Sequence, residues 1–325
     1  MNVRSGLMAL VMVLAAASAA GQEAPAAAAP ATAAPAKDAA ADEAPAYSRK
    51  GADTCLNCHG DDPVTMAIFK TKHAQPKNPN SPFGHGQLQC EACHGPGGAH
   101  TGRVRRGETR PPVVYFGRNT VTPIEQQNAM CLTCHNPQAG EWHASAHRDR
   151  DVGCADCHSS HVARDPVLAK ATQADVCGTC HQVQKANMLL PFAHPLRDEQ
   201  MACTGCHAPH GSTSEAALKR DTVNDTCYTC HAEKRGPFLW EHQPVSEDCG
   251  LCHQPHGSAH PGMLKQRAPF QCQQCHQSEG HPAVPGLPSA LPGGAPSATV
   301  LASGCLNCHS QVHGSNHPSG RRLTR

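Results

Sequence analysis

Large aromatic side chains are scarce in this chain of 325 residues, which contains 2 Trp, 3 Tyr and 6 Phe. Gly and Pro, by contrast, contribute 28 residues each and interrupt any long helix or strand. A globular domain of this length normally buries many large apolar side chains, and too few are available here. The composition therefore excludes an ordinary hydrophobic core and requires disulfides, metals or cofactors in its place.

Long apolar runs are missing as well. Beyond the N-terminus, no segment approaches the stretch of about eighteen apolar residues that a membrane-spanning helix needs. Residues 1–20 combine Arg4, a short apolar run and small residues, which predicts a cleaved secretory signal peptide, with an uncleaved anchor as the alternative. Residues 21–47 are rich in Ala and Pro and predict a disordered linker. We therefore expect an exported domain at residues 48–325 with no direct lipid span.

Cysteine is abundant, and its arrangement is regular. The 20 cysteines form ten pairs spaced as C-x-x-C, and a histidine follows every pair. Numbered in chain order, motifs 1 to 10 are Cys55-Cys58-His59, Cys90-Cys93-His94, Cys131-Cys134-His135, Cys154-Cys157-His158, Cys177-Cys180-His181, Cys203-Cys206-His207, Cys227-Cys230-His231, Cys249-Cys252-His253, Cys272-Cys275-His276 and Cys305-Cys308-His309.

C-x-x-C-H is the attachment signature of c-type haem. The two thiols form thioethers to one macrocycle, and the adjacent imidazole becomes the proximal ligand of its iron. Zinc ribbons also use paired C-x-x-C units, but they do not require a histidine after every second cysteine. A disulfide framework is excluded because no cysteine is left over. The sequence therefore predicts ten covalently bound haem c groups.

Fourteen of the 24 histidines lie outside the motifs. An underlying repeat of about 45–50 residues, containing two motifs, sorts them into five approximate two-haem units. We predict as distal iron ligands His73, His100, His147, His161, His194, His210, His242, His256, His281 and His313, with His317 as an alternative to His313. The surplus histidines at positions 85, 143 and 260 are expected at the surface. A histidine that trails its own motif closely, such as His161, can hardly reach the far face of that iron, so it is expected to ligate a neighbouring haem.

Two imidazoles on each iron leave no vacancy for a substrate, which favours electron transfer and predicts no catalytic residue. A methionine could replace a histidine at one or two irons without opening a site. Ten haems in a straight array, even at ~7 Å per step, would extend beyond ~60 Å. That distance exceeds the ~40–45 Å of a bilayer with its headgroups. The alternatives are a free periplasmic electron shuttle or store, and a multihaem reductase with one open haem.

The expected fold is a multihaem cytochrome c that is elongated and loop-rich, with short α-helices, little or no β structure and a core of ten stacked haems. The polypeptide has a net charge of only +1, so haem propionates would make the holoprotein negative. The basic stretch "RVRR" at 103–106 is then explained by propionate pairing or by a docking patch. A nucleic-acid partner is not expected for an exported protein.

Residues between the motifs carry a family resemblance from about position 51 to the C-terminus. "CEACHGPGGAH" at motif 2, "VNDTCYTCHAEKRGP" at motif 7 and "CLNCHSQVHGSNHPSG" at motif 10 resemble the MtrA/DmsE family of periplasmic decahaem cytochromes. The resemblance implies a bis-histidine wire sheathed by an outer-membrane β-barrel porin. It also implies an extracellular multihaem cytochrome or terminal reductase on one side, and a periplasmic or inner-membrane cytochrome on the other. Family members run in both directions, so the direction of electron flow is left open.

Overall fold

The computed structural model describes residues 46–276, 304–318 and 320–324. The predicted signal peptide, residues 21–45 of the predicted linker and the predicted ligand His281 lie outside the described residues. The described residues belong to one unit.

Helices in the described residues are short, and the longest have only nine residues. The α-helices are α1 Ala52–His59, α2 Pro63–Met66, α3 Glu91–His94, α4 Gly98–Thr101, α5 Ile124–Leu132, α6 Ala139–His143, α7 Lys170–Gly178, α8 Gln182–Asn187, α9 Cys203–Cys206, α10 Val223–Tyr228, α11 Gln243–Glu247 and α12 Ala268–Gln273. The 3-10 helices are Ala67–Lys70, Lys72–Ala74, Asn136–Gln138, Arg148–Arg150, Cys154–Asp156, Pro166–Leu168, Glu215–Ala217, Ala232–Lys234, Cys249–Leu251, Pro261–Met263 and Cys305–Asn307.

β structure is limited to isolated bridges in the part of the chain that the structure describes. The prediction of a loop-rich fold with short helices and little β structure is thus confirmed. Within the same ranges, no helix combines the length and the apolar character that crossing a membrane would require.

The protein buries very little apolar material of its own. Across the described residues only eight hydrophobic side chains are buried: Ala52, Ile68, Val114, Trp142, Met188, Leu196, Leu218 and Leu323. They are scattered along the chain, and several of the other buried side chains are polar amides. At about 1.5–3 kcal/mol for each large buried side chain, this set cannot offset the conformational entropy of ordering so long a chain. The protein part alone therefore lacks a sufficient core.

Odd-numbered and even-numbered motifs adopt different local structures. The first cysteine of each odd motif lies within an α-helix, namely α1, α5, α7, α10 and α12. Even motifs instead form a single helical turn, as in α3, α9 and the 3-10 helices at Cys154–Asp156, Cys249–Leu251 and Cys305–Asn307. This alternation gives the repeat of two motifs a physical basis.

A buried amide side chain joins the odd motif to the following even motif in the three central units. The Asn128 side chain accepts a hydrogen bond from the N–H of Cys154 at 2.8 Å. Gln173 and Asn224 accept in the same way from the N–H groups of Thr204 at 2.9 Å and Cys249 at 2.7 Å. All three amides are buried. The acceptor lies on the helix of the odd motif, and the donor lies at the start of the even motif. The hydrogen bond therefore fixes the two attachment sites relative to each other.

Replacing Asn224 by Ala is expected to destabilise the holoprotein by about 1–3 kcal/mol, since buried donors and acceptors lose their partners. Asn224 also donates to the carbonyls of Val245 and Ser246, at 2.9 and 3.1 Å. Thermal unfolding followed by circular dichroism measures the loss. Gln243→Ala is the control, because that exposed side chain bonds only to the nearby Glu247 carboxylate. Equal melting temperatures for the two variants would contradict the role given to Asn224.

Successive units are held together by backbone contacts behind the even motifs. Phe192 and Ser258 exchange backbone hydrogen bonds at 3.1 and 2.8 Å, and Trp240 and Ser315 do so at 2.9 Å in both directions. The glycine before each serine has a positive φ, 140° at Gly257 and 121° at Gly314. A Cβ at Gly257 would lie only 2.0 Å from the carbonyl oxygen of Asn187, so no side chain fits there.

Candidate haem sites

Histidine rings meet in pairs across the described part of the chain. In eight such pairs, one ring belongs to a C-x-x-C-H motif and the other to a histidine outside the motifs. Their centroid separations are 6.3 Å for His73–His135, 6.3 Å for His94–His161, 6.0 Å for His147–His181, 6.0 Å for His158–His210, 6.3 Å for His194–His231, 6.0 Å for His207–His256, 6.1 Å for His242–His276 and 6.1 Å for His253–His313.

This separation fits a six-coordinate iron between two imidazoles. A ring nitrogen binds a first-row metal at about 2.0 Å and lies about 1.1 Å from its ring centroid, which predicts a centroid separation of about 6.2 Å. The observed values span only 6.0 to 6.3 Å although the interplanar angles vary from 12° to 81°. Direct ring packing would instead couple separation to angle. The histidines therefore fit haem groups held axially from both faces.

Every pair connects motifs that are two positions apart. The trailing histidines of motifs 4, 6, 8 and 10 face the motif histidines of motifs 2, 4, 6 and 8; these trailing residues are His161, His210, His256 and His313. The lone histidines that follow motifs 1, 3, 5 and 7 face the motif histidines of motifs 3, 5, 7 and 9; these are His73, His147, His194 and His242. Each pair thus joins one two-motif unit to the next.

Backbone carbonyls orient several of these imidazoles. Nδ1 of His147 donates to the carbonyl of Pro209 at 2.9 Å, and Nδ1 of His194 donates to that of Pro255 at 2.7 Å. His242 donates likewise to the carbonyl of Val312 at 3.0 Å. A carbonyl can only accept, so Nδ1 carries the proton and Nε2 keeps the lone pair that binds iron. The three acceptors immediately precede His210, His256 and His313, so neighbouring sites share one loop.

Burial also favours the metal-binding form of the histidines. It is the largest cause lowering the pKa of His73, His94, His210, His256 and His313. Nearby imidazoles lower the pKa of each of these residues further. A lowered pKa keeps the ring neutral near pH 7, and only the neutral imidazole offers a lone pair to iron.

The cysteines of consecutive motifs also lie close together, and none of the 20 forms a disulfide. First cysteines interact within each two-motif unit: Cys55 with Cys90, Cys131 with Cys154, Cys177 with Cys203, Cys227 with Cys249, and Cys272 with Cys305. Second cysteines interact between units: Cys93 with Cys134, Cys157 with Cys180, Cys206 with Cys230, and Cys252 with Cys275. Hydrogen bonding to Cys154, followed by burial, raises the pKa of Cys131. These electrostatic interactions and hydrogen bonds link each motif to the next, from motif 1 to motif 10.

The remaining predicted ligands lie at the two ends of this series. His59 of motif 1 and His100 do not form a ring pair among the described residues, although Nδ1 of His100 donates to the Pro111 carbonyl at 2.9 Å. Nδ1 of His309 in motif 10 donates to the carbonyl of Arg322 at 2.6 Å. His313 faces the motif histidine His253.

The surplus histidines His85, His143 and His260 join none of the eight pairs in the described ranges.

A separate observation concerns a buried polar group without a hydrogen-bond partner. The indole N–H of Trp240 is buried without a hydrogen-bond partner in the protein, as expected where a bound group forms part of the wall.

Sequence reasoning missed several residues that shape these sites. Asp165 accepts a hydrogen bond from His158, and the buried amides position the attachment turns. The glycines with positive φ could have been found from the sequence, because the tripeptide H-G-S recurs after motifs 6, 8 and 10, beginning at His210, His256 and His313. No comparable pattern marks Asp165.

Comparison with known proteins agrees with this arrangement. The family described as "Doubled CXXCH motif" matches residues 194–236 and 242–281. The family "Cytochrome c-type protein NrfB-like" matches residues 90–174. Multiheme cytochrome MtrA of Shewanella baltica is 49% identical over 282 residues, which cover 86% of this chain and 83% of that protein. This chain belongs to the MtrA family.

Membership in the MtrA family confirms three predictions: a multihaem cytochrome c fold, ten covalently bound haem c groups and a role in electron transport. A second relative of this MtrA-family chain is the cytochrome c-type protein NrfB of Escherichia coli. It is 32% identical over 153 residues, which cover 45% of this chain and 74% of NrfB.

Proposed function

We propose that the chain carries electrons across the outer membrane as a bis-histidine decahaem wire inside a β-barrel porin. The eight histidine pairs support assigning each outer histidine as the distal ligand of the motif that it faces. The thioether sites are the 20 motif cysteines, and the motif histidines are the proximal ligands. Bound haem supplies one-electron chemistry, cycling between Fe(III) and Fe(II).

The two end sites follow by elimination. In the eight pairs, each trailing histidine faces the even motif two positions before its own. His100 trails motif 2, and no even motif precedes motif 2. Each lone histidine faces the odd motif two positions after its own. His281 follows motif 9, and no odd motif follows motif 9. We therefore assign His100 to the haem of motif 1 and His281 to the haem of motif 10.

The ligand pairs favour electron transfer over catalysis. Each pair would supply two neutral nitrogen donors to one iron, which would leave no coordination site for a substrate. The carbonyls of Pro209, Pro255 and Val312 hold three of the distal rings in the required orientation. Rigid ligation keeps the iron environment similar in both oxidation states, which is what rapid electron transfer needs. We place no catalytic residue in the chain.

The observation that carries the wire proposal is the series of cysteine interactions that links each motif to the next, from motif 1 to motif 10. Because each cysteine is an attachment point, consecutive attachment points in the chain are also neighbours in space. A series in chain order suits conduction from end to end, whereas a store would need no order. A wire of ten haems also has sufficient reach for a bilayer of ~40–45 Å.

The proposed location is the periplasm, with the chain seated in the outer membrane through the barrel. The barrel would provide the lipid-facing surface that this polar chain lacks, since exposed backbone in hydrocarbon is costly. A periplasmic or inner-membrane cytochrome would exchange electrons at one end. An extracellular multihaem cytochrome or terminal reductase would do so at the other.

A vesicle assay tests this proposal. Lipid vesicles with a trapped dye reductant and an external ferric chelate should show dye oxidation only when they contain the barrel and this chain together. Vesicles with the barrel alone are the control. Oxidation that is equal without the chain would overturn the proposal. Failure of the chain to co-purify with any barrel would do so too, in favour of a free periplasmic shuttle.

A further inference from the structure

The motif histidine of every even motif donates a hydrogen bond from Nδ1, but one acceptor differs in kind. Nδ1 of His94, His207, His253 and His309 donates to the backbone carbonyls of Val114, Ala216, Gly262 and Arg322. Nδ1 of His158 in motif 4 donates instead to the carboxylate of Asp165, at 2.7 Å. Motif 4 thus presents a formal negative charge to its imidazole, where Val114, Ala216 and Gly262 present neutral carbonyls to the imidazoles of motifs 2, 6 and 8.

The length of the loop after the histidine explains why the acceptor at motif 4 is a carboxylate and not a backbone carbonyl. In motifs 6 and 8 the accepting carbonyl lies nine residues after the histidine. After His158 the returning loop is shorter, and the acceptor lies only seven residues on. A side chain spans the remaining distance. Asp165 therefore occupies the place that a backbone carbonyl fills in the neighbouring units.

Asp165 is held firmly in this position. Its Oδ1 accepts from the N–H of Ser159 at 3.3 Å and from the N–H of Val167 at 3.4 Å, where it caps the 3-10 helix Pro166–Leu168. The side chain is only 14% exposed, so water screens its charge weakly. Both its oxygens are therefore directed by local structure, and one of them is directed at His158.

The charge of Asp165 is not balanced by a neighbouring cation. The other carboxylate of this motif, Asp156, pairs with Arg118 at 3.2 Å. Within the described ranges no Lys or Arg forms an ion pair with Asp165, whose one ionic contact is with His158 itself. In the described ranges, therefore, no Lys or Arg ion pair offsets the charge that Asp165 presents to the imidazole.

We propose that Asp165 is a positioning residue that lowers the reduction potential of the haem at motif 4 below those of the haems at motifs 6 and 8. A carboxylate that accepts the Nδ1 proton increases the electron donation of Nε2 and stabilises Fe(III) over Fe(II). No such carboxylate serves His207 or His253. The inference rests on the proposed assignment of His158 as an iron ligand, and it is independent of the barrel and the membrane. The haem at motif 4 would then hold an electron less readily than the haems at motifs 6 and 8.

The test is the variant Asp165→Asn in the ten-haem protein. Asparagine removes the charge but has one accepting oxygen in place of two, so it keeps either the bond from His158 or the backbone cap formed with Ser159 and Val167. The electronic effect is lost in either case, and the melting temperature reports the cost of the lost bonds. In a potentiometric titration followed by EPR, we expect one low-spin haem in ten to move to higher potential and to change its g values. Asp175→Asn is the control, because that exposed carboxylate pairs with Lys185 and forms no ion pair with a histidine in the described ranges. Asp165→Glu, which retains the charge, should restore most of the low potential.

Two results would overturn the inference in distinguishable ways. If His210→Ala opens one iron but Asp165→Asn leaves every potential and g value unchanged, the ligand assignment stands and the tuning role fails. If His210→Ala opens no iron, the assignment of this ligand pair fails, and the role of Asp165 fails with it. A change of one tenth of the spins in Asp165→Asn, absent in Asp175→Asn, supports the inference.

Discussion

Replacing His313 by Ala is expected to convert one haem in ten from low-spin to high-spin. His313 lies 6.1 Å from the ring of His253, and the chain offers no second imidazole paired with that motif histidine in the described ranges. Low-temperature EPR of the oxidised protein, quantified against total haem, measures the fraction. The haem count by pyridine haemochrome should stay at ten, because the thioether cysteines are untouched.

His317→Ala is the matched control, since it removes an imidazole only four residues away. It should leave all ten irons low-spin. A high-spin signal from the His317 variant together with none from the His313 variant would contradict the assignment. A signal from both would mean that the last two histidines serve different irons.

The same variant also tests ligation across units. His313 trails motif 10, but we assign it to the haem of motif 8. Changing Cys249 and Cys252 to Ser removes that haem, and mass spectrometry should then count nine. In this background the substitution of His313 should add no high-spin signal. A signal that persists would place His313 on another haem, such as that of motif 10.

Much of the fold class follows from local chemistry, which a sequence records directly. C-x-x-C-H fixes where each haem is attached, and frequent Gly and Pro limit helices to a few turns, as the nine residues of α7 illustrate. The candidate histidines can likewise be enumerated by type and position. None of these inferences requires knowledge of which distant segments meet.

The sequence does not show which motif histidine each outer histidine faces. His161 is three residues from His158, yet it faces His94, which is 67 positions away in the chain. Reach excludes ligation of its own haem but does not choose among neighbours. That choice depends on long-range contacts such as the bridge between Trp240 and Ser315. The recurring H-G-S marks one side of such a bridge, but the sequence does not show which distant segment pairs with it. The role of Asp165 could not be predicted from the sequence either, because it depends on where the loop after His158 returns in space.

Replacing Gly257 by Ala is expected to have a large structural effect, with a loss of about 3 kcal/mol or more. A strained backbone conformation alone costs about 1–3 kcal/mol, and here a clash adds to it. Gly257 has φ of 140°, and a Cβ would lie 2.0 Å from the Asn187 carbonyl oxygen. The neighbouring atoms are backbone, so they cannot rotate away as a flexible side chain would.

The consequence of that clash should reach two iron sites. Relief requires the segment around Asn187 to separate from Gly257, which breaks the hydrogen bonds between Phe192 and Ser258. His194 and His256 are the outer histidines on these two segments, so the irons at motifs 7 and 6 should lose ligands together. We expect a lower melting temperature and up to two high-spin haems in ten. Gly304→Ala is the control, because Gly304 lies outside the C-x-x-C-H motifs, has a negative φ, and no atom lies within 4 Å of its added Cβ. Equal melting temperatures and fully low-spin irons in both variants would show that this glycine does not hold the two units in contact.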